Sequence, residues 1–358
     1  MQALRRFSIV EQTADHLRQG LREGLWRGTL PGVVPLAKDL HVSRGTLLGA
    51  LRLLEGEGII TVHGGGRNRT INTLSVARNK LSVGILCHDL TLNESPQMAG
   101  LLYQVRHDLE AAGHAVFFAA KTQQMLRHKV EDIKRHLGKK PADAWIVEAG
   151  SRDLLEWFAG QAVPCLALYG RSEGLPLART GPDILPPYVA ATRQLLALGH
   201  RRIVAVCRRH RRQPTPGVAE RGFLDELTAH GIVTGDYHLP DWEETPAGLT
   251  VLLESLFRHT PPTALMLDEA SCAISAALFL AQRRIRVPED VSLIAIESEA
   301  SLAWCHPPVA HVRWDNEPII RRIVRWVDAV RNGRADRDTI NFPARFVPTG
   351  SIGPVRME

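Results

Sequence analysis

The sequence has few cysteines, and their spacing forms no pattern. Its 358 residues include five cysteines, with no CxxC pair and no Cys/His spacing typical of a metal site. We interpret them as small buried hydrophobic residues in a reducing compartment. We therefore predict no metal ion and no cofactor. The five are Cys87, Cys165, Cys207, Cys272 and Cys305.

Long apolar runs are also missing from the sequence. No stretch of about 18 apolar residues predicts a membrane-spanning helix. The first residues, MQALRRFSIVEQ, lack the apolar core of a signal peptide. We therefore expect a cytoplasmic protein that does not bind a membrane.

The motifs of common enzyme classes are absent as well. The sequence contains no GxSxG, no P-loop and no GxGxxG after a predicted strand. The glycines at 64–66 precede no suitable helix, and the 15 histidines lack the spacing of metal ligands or of a catalytic triad. We predict no catalytic residues. The alternative, an enzyme on an α/β scaffold, is tested by an activity screen on sugars and phosphates.

The excess of positive over negative charge is confined to one end of the chain. The formal net charge is +6, and residues 1–80 hold 12 lysines and arginines against 6 acidic residues. The remaining 278 residues hold 32 of each kind, so they are neutral overall. A basic segment favours binding to the phosphates of nucleic acid.

The basic segment has the pattern of three helices followed by a hairpin. From Ser8 to about Trp26, apolar residues recur every four positions, which predicts an amphipathic helix. Ser8 with Glu11 fits a capping box, and Ser43 is a good N-cap for a third helix that runs to about Gly56. The other predicted elements are a helix over 36–40, a strand over 59–62, a glycine-rich turn over 63–67 and a strand over 69–71.

This pattern resembles the winged helix-turn-helix of GntR-type transcriptional regulators over residues 8–72. The resemblance rests on the phrases LAKDLHVSRGT and ALRLLEGEGII and on a glycine-rich turn that ends in an arginine. It implies binding to a double-stranded DNA operator, with one helix in the major groove and the hairpin on the backbone or in the minor groove. The residues we predict to bind DNA are Ser43, Arg44, Thr46 and Arg52 in the recognition helix, and His63, Gly64, Gly65 and Arg67 in the wing.

The sequence departs from the GntR pattern at two places. After the Leu-Pro pair at 30–31 the family usually has Ser-Glu-Arg, and this chain has Gly-Val-Val at 32–34. A basic residue common in the recognition helix is replaced by Leu48. Two contacts to phosphates are therefore missing, so we expect recognition to depend more on Arg44, Thr46, Arg52 and the wing.

A second pattern begins after a polar segment at 73–80, which predicts a linker. We divide the chain into a DNA-binding domain (1–72), this linker and a second domain (81–358). In the second domain, short apolar strands alternate with helices, twice in succession. Such alternation predicts two α/β units, each with a parallel sheet covered on both faces. Ligands of such sheets bind at the carboxyl ends of the strands.

Residues 81–354 resemble the effector domain of LacI/GalR-type repressors, which is similar to periplasmic sugar-binding proteins. The resemblance rests on LGHRRIVAV, PTALML, RIRVPEDVSLIAI, HPPVAHVRWD and TGSIGP, in the family's order and spacing. It implies two α/β lobes joined by three crossover strands, a small molecule between the lobes, and a homodimer. The predicted fold class is a winged helix-turn-helix (α+β) followed by a two-lobed α/β periplasmic-binding-protein-like domain.

In that family the ends of strands supply the ligand contacts. Carboxylates and a planar arginine hydrogen-bond sugar hydroxyls, and an aromatic side chain stacks on a sugar ring. Two family positions are altered. Ala219 stands where an arginine is usual, although Arg221 lies close by. The usual Asn-Asp pair falls on Glu269-Ala270 without a gap, or on Asp268-Glu269 with a shift of one or two residues. The ligand is thus an unusual sugar, another small molecule or none. The residues predicted to bind it are His88, Asp89, Glu148, Tyr169, Arg171, Asp183, Arg221, Asp268, Glu269, Glu297 and Trp304.

Five consecutive basic residues, 208–212, follow a predicted strand near the expected cleft. One interpretation is a site for an anionic ligand or a second contact to nucleic acid. The other is a solvated loop. Variants with alanine at these arginines distinguish the two.

Taken together, these patterns predict a transcriptional regulator, such as a repressor, whose operator binding is controlled by a small molecule. Two alternatives stay open. One is a sugar receptor without DNA regulation, which conflicts with the basic N-terminal segment. The other is a regulator that has lost its effector.

Overall fold

Two compact units make up the chain in the computed structural model, which describes residues 8–22, 25–26, 28–63, 68–71, 80–89, 96–297 and 299–356. The first unit comprises Met1–Ser82 with the short segments Gly113–Ala115 and Asp328–Ala335, and the second contains the rest of the chain. We call residues 8–71 the head and the second unit the body. Within the described ranges, no helix is long and apolar enough to span a membrane.

The head contains three helices and a two-stranded hairpin. They are α1 (Ile9–Arg22), α2 (Val33–Asp39), α3 (Arg44–Gly56), β1 (Ile60–His63) and β2 (Asn68–Ile71). The capping box predicted for α1 is confirmed: the Ser8 amide donates to Glu11 Oε2 at 2.8 Å, and the Glu11 amide donates to Ser8 Oγ at 3.2 Å. These bonds satisfy amides that have no acceptor within the helix.

The core of the head lies between the inner faces of its helices. Leu17 and Leu54 are fully buried there. The helix predicted to reach about Trp26 was too long, because α1 ends at Arg22. The first and last apolar residues of the predicted stripe, Ile9 and Leu25, are 62% and 64% exposed. The stripe therefore extends beyond the residues that the core can cover.

A glycine lets α1 and α3 pack closely. A Cβ atom at Gly49 would lie 3.0 Å from a methyl carbon of Val10, which is too close for easy accommodation. The second helix begins at Val33, three residues before the predicted start, and it accommodates Pro35 in its first turn. Proline is tolerated there because the first amides of a helix have no acceptor within it.

The wing is the antiparallel hairpin of β1 and β2. Ile60 pairs with Ile71, so the first wing strand begins one residue later than predicted. Thr29 forms a bridge with Thr70 on the outer side of β2. The segment before α2 therefore extends the hairpin into a small three-stranded edge.

The body is built on ten strands. They are β3 (Ser82–Leu86), β4 (Ala115–Phe118), β5 (Ala144–Glu148), β6 (Cys165–Leu168), β7 (Ala178–Asp183), β8 (Ile203–Val206), β9 (Ala264–Leu267), β10 (Ser292–Ala295), β11 (Ala310–Trp314) and β12 (Thr339–Val347). They form one hydrogen-bonded sheet in the order β4-β3-β5-β6-β7-β12-β11-β10-β9-β8. We call β3–β6 with their helices the first lobe, and β8–β10 with theirs the second lobe.

Helices connect these strands. They are α4 (Pro96–Ala111), α5 (Val130–Leu137), α6 (Arg152–Ala159), α7 (Leu185–Ala197), α8 (Arg209–Arg212), α9 (Val218–Ala229), α10 (Pro246–His259), α11 (Ala270–Gln282), a 3-10 helix (Ala300–Trp304) and α12 (Glu317–Arg331). In the second lobe, successive strand residues enter opposite cores: Val204 and Leu265 pack on one face, Ile203 and Ala264 on the other. The prediction of a parallel sheet covered on both faces is thus confirmed for this lobe.

Three strands, β7, β11 and β12, lie between the two lobes. β12 pairs in parallel with β7 over Thr339–Pro343 and antiparallel with β11 over Ala344–Val347. The apolar pattern does not predict β7 or β12, because ARTGPD and TINFPARFV mix polar and apolar residues. The phrase HPPVAHVRWD at 306–315 contains β11 in its second half.

Candidate functional site

The recognition helix α3 begins at a well-formed cap. The Thr46 amide donates to Ser43 Oγ at 3.0 Å, and the two side-chain hydroxyls lie 2.8 Å apart. Arg44 and Arg52 are exposed, two turns apart, and Leu48 lies half-buried between them. Two of the residues predicted to bind DNA thus also fix the start of the helix, and the two arginines extend into solvent.

The wing is braced against α3. Arg69 Nε on β2 donates to Glu55 Oε1 of α3 at 2.8 Å, and the Arg69 carbonyl accepts from the Leu30 amide at 2.9 Å. No sequence motif indicates this pair. Of the predicted wing contacts, His63 ends β1, but its side chain and the residues Gly64, Gly65 and Arg67 lie outside the described residues.

A cavity of about 640 Å³ lies at the carboxyl ends of the body's strands, with both lobes in its wall. Of the eleven residues predicted to bind a ligand, ten line it: His88, Asp89, Glu148, Tyr169, Arg171, Asp183, Arg221, Asp268, Glu269 and Glu297. Trp304 does not line it. This residue is 89% exposed on the 3-10 helix, because that helix turns Leu302 into the core instead.

Two buried carboxylates of the cavity bind backbone amides. Glu148 Oε2 at the end of β5 accepts from the His88 amide at 2.6 Å, and Glu297 Oε2 after β10 accepts from the Ala270 amide at 2.8 Å. The two lobes thus use the same device at equivalent strand ends. Burial raises the pKa of Glu148 to about 7, against the opposing effect of its bond from His88.

Tyr169 and Gly170 shape the wall where the first lobe meets β7. Tyr169 has a φ of 61°, a left-handed backbone that is uncommon for a tyrosine. A Cβ atom at Gly170 would lie 2.7 Å from the backbone nitrogen of Gly150. This close approach of two backbones requires glycine. Burial raises the pKa of the Tyr169 hydroxyl above its ordinary value, so it stays protonated.

The segment Arg208–Gly217, which we call the arginine loop, carries the five basic residues, and Arg208, His210 and Arg211 line this wall. Arg208 forms an ion pair with Glu269, and Arg211 forms ion pairs with Asp268 and, at 2.7 Å, with Glu220. These arginines are neither solvated nor free for an anion. Carboxylates within the protein already compensate their charge.

The fourth arginine of the run, Arg212, is the most deeply buried. Its guanidinium forms an ion pair with Asp241, and it donates to the carbonyls of Cys207 at 2.7 Å and Trp242 at 2.9 Å. Its side chain is 3% exposed. Arg212 therefore holds the end of β8 to the segment before α10.

The guanidinium of Arg171 donates hydrogen bonds to the opposite lobe. Its Nε donates to the His210 carbonyl at 2.6 Å, and its Nη2 donates to the carbonyls of Arg211 at 2.9 Å and Thr215. Arg221, also predicted to bind a ligand, donates to the Pro216 carbonyl at 2.6 Å. Both arginines therefore hold the arginine loop in position.

Two family matches divide the chain in the same way as its patterns. Residues 9–69 match bacterial regulatory proteins of the gntR family. Residues 192–352 match the periplasmic binding protein-like domain. The chain has a gntR-family head and a periplasmic-binding-protein-like body. Both predicted resemblances are thereby confirmed at the level of these domains.

Known proteins with similar sequences or structures agree with this division. The chain is similar to the HTH-type transcriptional repressor PurR of Haemophilus influenzae, at 24% identity over 242 residues, which cover 64% of this chain and 68% of that protein. A LacI family transcriptional regulator from Enterococcus faecium with bound ribose has a TM-score of 0.61 at 18% identity, covering 77% of this chain and 100% of that one. The complex of the transcriptional regulator CelR with cellobiose has a TM-score of 0.63 at 19% identity, covering 90% and 100%. These structures share the fold of the body.

Acidic residues outnumber arginines around the cavity of this periplasmic-binding-protein-like body. Sequence reasoning missed several of them, because they come from helices and loops rather than from strand ends. The lining carboxylates are Asp89, Glu148, Asp153, Glu173, Asp183, Glu220, Asp268, Glu269 and Glu297, and the lining arginines are Arg152, Arg171, Arg179, Arg208, Arg211 and Arg221.

Proposed function

We propose that this chain is a transcriptional regulator that binds operator DNA through its gntR-family head and senses a small molecule in the cavity of its body. The supporting observation is that one chain carries an exposed basic recognition helix and a ligand-sized cavity between two lobes. Cavities of roughly 300 to 1,000 Å³ are usual for small ligands, and this one measures about 640 Å³. We further propose that it acts in the cytoplasm as a homodimer.

For DNA binding, α3 lies in the major groove, as in other helix-turn-helix proteins. Arg44 and Arg52 reach base edges or phosphates, and Ser43 and Thr46 set the position of the helix end. Leu48 offers an apolar contact to a thymine methyl group, where the family has a basic residue. His63, Gly64, Gly65 and Arg67 contact the DNA from the wing. A homodimer presents two such helices to a pseudo-palindromic operator.

For the small molecule, the cavity favours a neutral compound rich in hydroxyl groups, such as a sugar. Carboxylates and guanidinium groups hydrogen-bond hydroxyls, and Tyr169 adds a rigid aromatic ring. An anion would have to compete for Arg208 and Arg211 with the carboxylates that already hold them. The regulator from Enterococcus faecium, which is similar in fold, has bound ribose.

A second candidate is a regulator whose body closes without a ligand. The observation that favours it is the extent to which the predicted ligand contacts are engaged by the protein. Arg171 and Arg221 bind backbone carbonyls, and Glu148 and Glu297 bind backbone amides. Such a body would leave few side chains for a sugar.

Selection of bound genomic DNA fragments by the full chain, with and without a panel of neutral sugars, tests the proposal. We expect a small set of palindromic fragments, and one sugar that changes the yield. The matched control is the Arg44→Ala/Arg52→Ala variant, which should recover no specific fragment. Recovery of the same fragments by both proteins would contradict the proposed DNA interface. A yield that no sugar changes would favour the second candidate.

A further inference from the structure

A single side chain bridges the two lobes above the cavity. The guanidinium of Arg171, after β6 of the first lobe, donates to three backbone carbonyls of the arginine loop in the second lobe. Backbone carbonyls are fixed acceptors, and a guanidinium presents its donors in a rigid fork. Loss of this contact would remove all three of these hydrogen bonds between the loop and the first lobe.

Next to this bridge, histidine rings from both lobes meet. The ring of His88, which follows β3 in the first lobe, lies 4.9 Å from the ring of His210 in the arginine loop. His128 of the first lobe lies 4.9 Å from His88. The Nδ1 atoms of His88 and His210 are buried and have no hydrogen-bond partner among the described residues. A neutral ring accepts this arrangement far better than a charged one, because an unpaired buried charge is costly.

The surroundings of these rings are mainly positive. Burial is the largest cause that lowers the pKa of His88 to about 3, with Arg208 and His128 adding to the effect and Asp89 opposing it. Burial also holds the pKa of His210 well below its ordinary value. For His128 burial again lowers the pKa, and Glu244 opposes it. The other groups that face the rings are Arg208, Arg209 and Arg211.

We propose that Arg171 is a positioning residue that latches the two lobes together over the cavity, and that the contact between His88 and His210 makes this latch release as the pH falls. This regulation rests on the function proposed above, since lobe closure would set the affinity of the head for its operator. Protons would then act on the same two-state body as the small molecule.

The sign of the pH effect follows from the number of protons that each state binds. In an open state the two imidazoles meet water, where their pKa is about 6.5. Closure lowers both pKa values, so the closed state binds fewer protons. Its advantage is complete above pH 6.5 and is lost as the pH falls below that value. From pH 7.5 to 5.5, each histidine raises the open-to-closed ratio about tenfold, and the pair raises it about 100-fold.

Glu148 acts in the opposite direction. Burial raises the pKa of its carboxyl to about 7; Arg208 of the second lobe opposes this rise, and Glu269 adds to it. Opening of the cavity would bring water to the carboxyl and remove the effect of burial, so the closed state binds a proton at Glu148 that the open state releases. From pH 7.5 to 5.5, this effect of Glu148 lowers the open-to-closed ratio about twentyfold. Because the two histidines raise the same ratio about 100-fold, the wild-type ratio should rise only about fivefold on acidification.

Single-molecule energy transfer within the full chain, without DNA or ligand, measures the ratio of open to closed molecules. Dyes are placed at Arg135 of the first lobe and Val233 of the second, which are 74% and 92% exposed. The Glu148→Gln variant should become about 100-fold more open at pH 5.5 than at 7.5. The His88→Gln/His210→Gln variant should reverse the sign and close by about twentyfold. Equal pH profiles for this variant and the wild type would overturn the proposal.

Two variants of Arg171, measured by the same energy transfer, test its role. Arg171→Ala should raise the open fraction at every pH and keep the pH slope, whereas Arg171→Lys, which keeps one donor group, should restore part of the closure. An Arg171→Ala protein as closed as the wild type would refute the latch. A general packing defect would instead leave the lysine variant as open as the alanine variant, which also contradicts it.

The proposed latch and the proposed function can be contradicted independently of each other. Energy transfer is measured without DNA, so a chain that binds no operator still reports the pH response of its lobes. A chain that binds its operator with no pH response of the lobes would refute the latch and leave the regulator intact.

Discussion

At the scale of single residues, a carboxylate at a strand end serves one of two purposes. It either extends into the cavity or accepts from an amide that follows a neighbouring strand, as Glu148 does from His88 and Glu297 does from Ala270, the first residue of α11. The sequence places both residues at the cavity, because each follows a buried apolar strand. The sequence does not show which amide lies next to them, since the partners are 60 and 27 residues away.

Glu148 should make the stability of the body depend on pH. Its pKa is about 7 in the folded chain and 4.5 as the reference value, so the folded state binds more protons between these values. Stability should therefore fall from pH 4.5 to 7 and level off above. Glu148→Gln should remove this decline, which amounts to about 3 kcal/mol at most.

Calorimetric melting of the body between pH 5 and 8 checks this expectation. Asp153→Asn is the matched control, because Asp153 also lines the cavity but is exposed. A decline that persists in Glu148→Gln, or that disappears equally in the control, would rule out Glu148 as its source.

Arg44 is the residue on which we expect DNA specificity to depend most. Arg44→Ala should weaken operator binding by about 1 to 3 kcal/mol for each half-site, or about 2 to 6 kcal/mol for the proposed dimer. This loss is a large part of the roughly 4 to 10 kcal/mol by which specific binding usually exceeds binding of unrelated DNA. Fluorescence anisotropy over a range of salt concentrations measures both affinities. Arg135→Ala, which changes an exposed arginine of the body, is the control for loss of charge. Operator binding that survives Arg44→Ala unchanged would mean that the recognition helix is wrongly placed.

At the scale of elements, the arginine loop shows the limits of a run of like charges as a signal. In sequence, 208–212 indicates an anion site or a solvated loop. In the structure, Arg208, Arg211 and Arg212 form ion pairs with Glu269, Asp268 and Asp241 on other elements, while Arg209 is exposed. These partners lie up to 61 positions away. Charge compensation of this kind depends on tertiary structure, so local pattern could not predict it.

Two arginines of this loop should differ sharply in their effect on stability. Arg212→Ala removes a donor from the carbonyls of Cys207 and Trp242. It also removes the ion pairs of Arg212 with Asp241 and Glu244. Loss of these hydrogen bonds from a guanidinium that is 3% exposed should cost about 1.5 to 3 kcal/mol. Arg209→Ala, at an exposed position three residues earlier, should cost less than about 1 kcal/mol. Urea unfolding compares the free energies of unfolding of the two variants, and equal midpoints would contradict the predicted difference.

Elements that the sequence predicted well share one property. β5, β8 and β9 are buried on both faces, so their residues form continuous apolar runs. The recognition helix was predicted from its N-cap Ser43 to its end. By contrast β12 is largely exposed and alternates irregularly, so neither strand nor helix periodicity identifies it. Trp304 was misplaced because the pattern does not show which side of a short 3-10 helix faces the core.

At the scale of the whole molecule, regulation requires that ligand binding in the cavity and DNA binding by the head both shift the same equilibrium between two states of the protein. A ligand shifts that equilibrium only by its different affinity for the two states. The factor by which the ligand changes operator affinity must equal the factor by which the operator changes ligand affinity.

This reciprocity gives a quantitative test of the proposed function. Once a sugar is identified, operator affinity measured with and without it should change about 5- to 150-fold, the usual range for such coupling. Sugar affinity measured by calorimetry with and without operator should change by the same factor. Unequal factors would show that sugar and operator do not act on one shared equilibrium.

The strand β12 has a mechanical consequence for any such motion. Its first five residues hydrogen-bond to β7 and its last four to β11, so the change of partner falls between Pro343 and Ala344. Proline has no amide hydrogen and so contributes no donor at this point of the ladder. Bending the strand there disrupts fewer hydrogen bonds than bending it elsewhere. The junction is thus the point of β12 at which the hydrogen-bond ladder opposes a bend least.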